Sequence, residues 1–150
     1  MKVRDVMVRD PVTLNEGDHL DLADDLMALG RIRHLPVERD GVLVGVVSQR
    51  DLFRAAASSA LRLRRTAQHT WLQKLIVRDV MSAPPTTTAT DADVRDAVQL
   101  MLDKRFGCLP VVSPEGRLVG LLSETDCLRV LKRILDNASN RQQISELSAD

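Results

Sequence analysis

Aromatic side chains are nearly missing from these 150 residues: there is no tyrosine, one tryptophan (Trp71) and two phenylalanines (Phe53 and Phe106). Single-stranded nucleic acid is held on aromatic stacking platforms, so this composition argues against that class of partner. It also requires a core built from Val, Leu, Ile, Ala and Met. Net charge is missing too. Lys plus Arg and Asp plus Glu both number 21, which leaves no overall pull toward nucleic acid or an acidic membrane surface. No apolar run approaches the ~18 residues that a bilayer-spanning helix needs. The opening MKVRDVMVRD is charged throughout and has no secretion-signal pattern, so the cytoplasm is the expected compartment. Two cysteines do not make a disulfide framework. His19, His34, His69, Cys108 and Cys127 have no metal-ligand spacing. G-x-S-x-G, G-x-x-x-x-G-K and a paired nucleophile and base are all absent, so no enzyme is expected.

What the chain does have is repetition. VRDVM, Val3 to Met7, returns letter for letter at Val77 to Met81, 74 residues on. LDLADDLMALGRIRHLPV (Leu20–Val37) lies over VRDAVQLMLDKRFGCLPV (Val94–Val111). GVLVGVVSQRD (Gly41–Asp51) returns as GRLVGLLSETD (Gly116–Asp126) at an offset of 75, one residue having been added in the turn SPEG. Insertions are tolerated at such a turn. The expected division is a first repeat over 1–56, a connector over 57–76, a second repeat over 77–136 and a polar tail over 137–150. The connector has no Gly or Pro and should be helical; the tail should fray.

Each copy reads as a short strand, a helix, two strands and a second helix. Leu20, Ala23, Leu26/Met27 and Gly30 have helical spacing, with Gly30 suited to a left-handed helix end. RDG is a turn. VLVGVVS is mostly apolar, as in a strand buried on both faces. Gly45 and Gly120 sit mid-strand, where glycine is poor unless something approaches the backbone closely; tight strand–helix packing and a nearby ligand both satisfy that. Ser48 and Ser123 open the second helices, with Asp51 and Asp126 three residues on. A serine N-cap with an acid in the first turn explains both residues without a ligand. The same acid beside a cleft can accept hydrogen bonds from both vicinal hydroxyls of a ribose, a strong class of bond for an ionised acceptor. Ahead of each LPV the copies differ: Arg31, Arg33 and His34 suit a phosphate, while Gly107 and Cys108 do not. The basic stretch at Arg62, Arg64 and Arg65 reads as a solvated helix face.

Two copies of VRDVM, P-x-T, LPV and G-x-LVG-x-x-S-x-x-D, in that order over Val3 to about Leu135, resemble a tandem pair of cystathionine-β-synthase-type (CBS) domains, a stand-alone Bateman module. The resemblance implies an α+β fold of two β-α-β-β-α repeats packed through their sheets with pseudo-twofold symmetry. It implies a further pairing into a disc-shaped homodimer, and clefts that take AMP, ADP or ATP, with S-adenosylmethionine or NAD less favoured. Such modules are sensors that act on a regulated protein, here unknown; the rival reading is a structural dimerisation module without a ligand. By the family's pattern one cleft joins Thr13, Arg33, His34 and Leu35 to Ser123 and Asp126. The other joins Thr87, Cys108 and Leu109 to Ser48 and Asp51. On these residues the first should bind phosphate better.

Overall fold

Strand β1 (Val8–Arg9) opens the computed structural model, which describes residues 1–58 and 65–147. It is preceded by a 3₁₀ turn, Val3–Asp5. Then come β2 (Leu14–Asn15), α1 (Leu20–Gly30), β3 (His34–Arg39), β4 (Val42–Ser48) and α2 (Gln49–Ser58). Helix α3 (Arg65–Leu72) and a second 3₁₀ turn, Val77–Asp79, lead to β5 (Thr88–Ala89), α4 (Val94–Lys104), β6 (Cys108–Val112), β7 (Leu118–Ser123) and α5 (Glu124–Leu147). The repeat order expected from the sequence is therefore present twice. Arg62 and Arg64 of the basic stretch lie outside the described residues.

Local chemistry accounts for the turns. Asp40 and Gly41 form the two-residue loop between β3 and β4, with φ of 50° and 77°. Both angles are left-handed, as a type I′ hairpin demands. The left-handed residue that ends α1 is Arg31 (φ 50°) rather than Gly30, which is still helical; Arg105 (φ 56°) ends α4 in the same way. The backbone N–H of each reaches back to a carbonyl of the last turn, Met27 or Leu102 and Met101, so carbonyl satisfaction sets these ends and not glycine's freedom.

The sheets show an exchange that the sequence conceals. One sheet runs β2-β3-β4 and the other β1-β7-β6-β5. The strand β1 from the first copy of the sequence thus pairs with β7 of the second, Val8 opposite Leu121 and Arg9 opposite Gly120. The reciprocal contact is a bridge between Val46 of β4 and Ser82, closed by two backbone hydrogen bonds of 3.1 and 2.9 Å. A swap of like parts in both directions is a pseudo-twofold operation. The core residues follow it. Val3 is buried with Ala97, Met101, Leu109, Val111 and Leu122, and Val77 with Leu14, Leu20, Met27, Leu35, Val37 and Val47. Burying each valine contributes about 1.5–3 kcal/mol, and each supplies it to the other copy's core.

The mid-strand glycines belong to the same exchange. A Cβ at Gly45 would lie 2.6 Å from Met81 Sδ and 2.9 Å from the Ser82 carbonyl oxygen. A Cβ at Gly120 would lie 2.5 Å from Met7 Sδ and 2.9 Å from the Val8 carbonyl oxygen. What approaches these strands is the partner copy's VRDVM segment, neither the packed helix nor a ligand that the sequence suggested.

The described part of the connector is helical, as expected, but it also serves the first core: Leu72 is fully buried there, and Trp71 Nε1 donates to the Ala55 carbonyl at 3.3 Å. The residues after 136, expected to fray, continue α5 to Leu147 without a break. No helix among the described residues is long and apolar enough to cross a membrane.

Candidate functional site

Helices α2 and α5 begin with the same arrangement. The Ser48 backbone N–H donates to Asp51 Oδ2 at 2.8 Å, the Ser48 hydroxyl donates to the same oxygen at 2.6 Å, and the Asp51 N–H returns a bond to Ser48 Oγ at 3.3 Å. Ser123 and Asp126 repeat it, with backbone bonds of 3.0 and 3.4 Å and a short hydroxyl–carboxylate bond. Both pairs are capping boxes, which satisfy donors that a helix start leaves open. The helix-start reading of these residues therefore holds, and it engages one carboxylate oxygen of each.

The second oxygen separates the two. Asp126 Oδ1 accepts from Arg129 Nη1 at 2.8 Å, and the residue is 5% exposed. Asp51 Oδ1 has no such partner among the described residues, although Arg54 stands at the position equivalent to Arg129, and both Asp51 and Arg54 line a cavity of about 650 Å³. The same cavity is bordered by Ser48, Ser82, Pro84, Pro85 and Thr86, by Arg105, Phe106, Gly107 and Cys108, and by Arg33, His34 and Glu124.

The structure thus regroups the residues named from the sequence. Ser48, Asp51 and Cys108 border one cavity. Thr86 borders the cavity where Thr87 was expected. Arg33 and His34 also border this cavity, which Ser123, Asp126 and the half-buried Thr13 do not line. Leu35 and Leu109 are fully buried in the two cores. Alternation explains that correction: in β6 the neighbours Cys108 and Pro110 face the cavity, so Leu109 between them faces the core.

His34 and Gly107 are neighbours across the pseudo-twofold. A Cβ at Gly107 would lie 2.7 Å from His34 Nε2, so glycine there makes room for the imidazole. Burial lowers the pKa of His34, Arg33 and Arg50 push it the same way, and the carboxylates of Glu124 and Asp51 oppose them. Burial, with Glu124 adding to it, pushes the Cys108 thiol up to about 12. It therefore stays protonated and unreactive at ordinary pH.

Sequence reasoning missed Arg50, Arg54, Ser82 and Glu124 as cavity residues. Arg54 and Arg50 carried a usable signal, since they flank Asp51 on the first two turns of one helix. Ser82 did not, because its place depends on the exchange of segments.

Comparison with known proteins adds three findings. A family model for the CBS domain matches the chain twice, over residues 3–58 and 77–133. The chain is 31% identical over 135 residues to a CBS domain-containing protein of Dictyostelium discoideum, covering 89% of this chain and 93% of that one. Its fold matches a crystal structure of CBSX2 from Arabidopsis thaliana in complex with AMP, with a TM-score of 0.72 and 28% identity over 89% of this chain and 97% of that one. The CBS domain pair of MJ0100, solved in complex with 5′-methylthioadenosine and S-adenosylmethionine, shares the fold with a TM-score of 0.75 at 23% identity over 87% of this chain and 99% of that one. Other curated relatives are much longer. The chain spans 22% of an inosine-5′-monophosphate dehydrogenase of Thermoplasma acidophilum, to which it is 31% identical over 123 residues. Doubled sequence, exchanged sheets and matched relatives agree: the chain belongs to the CBS domain family, as a tandem pair of such domains.

Proposed function

We propose that this CBS pair is a non-catalytic regulatory module that binds an adenosine-containing nucleotide of the AMP, ADP or ATP class in the Asp51 cavity and passes its occupancy to a partner protein. One observation carries the reading. Asp51 is fixed by its capping box through Oδ2, its Oδ1 has no partner among the described residues, and the residue lines a cavity of about 650 Å³, within the ~300–1,000 Å³ range of small-molecule sites. A pre-oriented carboxylate costs no ordering on binding and can accept from both hydroxyls of a ribose. Ser82, Pro84, Pro85 and Thr86 line the same cavity and would flank the base. The AMP complex of CBSX2 supports the choice of ligand class. A ligand shifts a partner's equilibrium only if it binds two states of the module unequally, and a cavity built from both copies is placed to sense their relative position.

The test is a melting curve with AMP, ADP, ATP, S-adenosylmethionine and NAD. A ligand at ~100 times its dissociation constant adds about 2.7 kcal/mol of stability, and Asp51→Asn should abolish the shift. Identical melting with every compound would defeat the proposal.

The rival reading, a dimerisation module, also has an observation behind it. Leu128, Leu131 and Leu135 form an exposed apolar stripe on α5, and Phe53 is exposed at the equivalent place on α2. We place a homodimer contact there; it is compatible with a ligand in the cavity.

A further inference from the structure

The charges around the cavity are not balanced. Five cations line it, Arg33, Arg50, Arg54, Lys104 and Arg105, against two carboxylates, Asp51 and Glu124. With His34 held neutral by burial, a surplus of three positive charges remains. None of the five cations forms an ion pair among the described residues, although the protein as a whole is neutral. A concave, partly water-excluding wall with unpaired guanidinium groups concentrates anions, and the planar fork of arginine matches phosphate oxygens in pairs.

The pseudo-equivalent positions in the other copy lack this surplus. Arg50 corresponds to Thr125, Lys104 to Gly30, and Arg54 to Arg129, which is consumed by its ion pair with Asp126. Pro84 corresponds to Asp10, which adds a carboxylate there. The two halves therefore differ where a polyanion would touch them, while keeping the same serine–aspartate helix starts.

We infer that the Asp51 cavity selects a ligand bearing two or three phosphates, one per chain, and that Asp126 with Arg129 has become a structural pair. This rests on the adenosine-nucleotide reading for the identity of the nucleoside, but the charge argument stands apart from it. Neutral adenosine and cationic S-adenosylmethionine are disfavoured by the same wall that favours a di- or triphosphate.

The experiment is a calorimetric titration of the full chain with adenosine, AMP, ADP, ATP, S-adenosylmethionine and inorganic tripolyphosphate, at low and high salt. Affinity should rise from AMP to ATP by at least about tenfold, as expected for one or more added charge-assisted contacts. The gain should shrink at high salt. Binding should saturate at one ligand per chain, and tripolyphosphate should compete with ATP. Arg54→Gln and Arg105→Gly should erase most of the preference for ATP over AMP; glycine suits the left-handed backbone at Arg105, so that variant folds. Arg129→Ala should leave ATP affinity unchanged. Equal affinity for AMP and ATP, two sites per chain, or tighter binding of S-adenosylmethionine would overturn the inference while leaving an adenosine site standing. Tripolyphosphate binding with no advantage for any nucleotide would uphold the charged cavity and overturn the nucleoside reading instead. Failure of every compound would overturn both.

Discussion

Asp51 and Asp126 are the same residue in the same local structure, yet their surroundings assign them different work. Asp126 is 5% exposed with both oxygens engaged. Asp126→Ala should cost about 0.5–2 kcal/mol of stability, the range for a lost helix cap, since its partner Arg129 is exposed and stays solvated, and leave nucleotide affinity unchanged. Chemical denaturation and titration of the same sample separate the two effects; a large loss of affinity with unaltered stability would reverse the assignment. His34 gives a second prediction at this scale. Its pKa is lowered from 6.5 chiefly by burial. Between the lowered value and 6.5 the unfolded chain holds more protons than the folded one, so stability rises with pH across that window. Acidification below 6.5 should therefore lower the melting temperature, and His34→Gln should flatten that part of the profile.

At the scale of elements, the mid-strand glycines test the exchange of segments. Gly45→Ala should destabilise the protein by about 1–3 kcal/mol, as overpacking does. Adding Met81→Ala should recover part of the loss and not all of it, because the Ser82 carbonyl oxygen, 2.9 Å from the new methyl, is backbone and cannot swing away. Full recovery in urea melts would mean that methionine alone fills the space. The elements themselves were largely legible. Strands Cys108–Val112 and Leu118–Ser123 stand where the repeat order expects two strands, on either side of the SPEG turn that separates them. The destination of each VRDVM was not legible: a valine's periodicity says that it enters a core, but with two near-identical cores in one chain it does not say which. The cavity was half legible for the same reason. Ser48, Asp51 and Cys108 were named from the sequence and border it, whereas Ser82 reaches it through the exchange, and Arg50 and Arg54 were passed over although they flank Asp51 on one helix. The last turns of α5 were missed because a polar sequence without packing partners resembles a fraying end, while its helix-forming residues carry the helix onward.

At the scale of the whole molecule, the stripe of Leu128, Leu131 and Leu135 with Phe53 should make the chain a homodimer. Light scattering at tens of micromolar should give about twice the 16.7 kDa of one chain, and Leu128→Asp with Leu131→Asp should return a folded monomer. A monomeric wild type would leave the stripe unexplained. The reciprocal placement of Val3–Met7 and Val77–Met81 also ties the fate of the two copies together. Val3 completes the core of the second copy and Val77 that of the first, so neither half closes its core alone, and the pair should melt in one cooperative transition rather than in two.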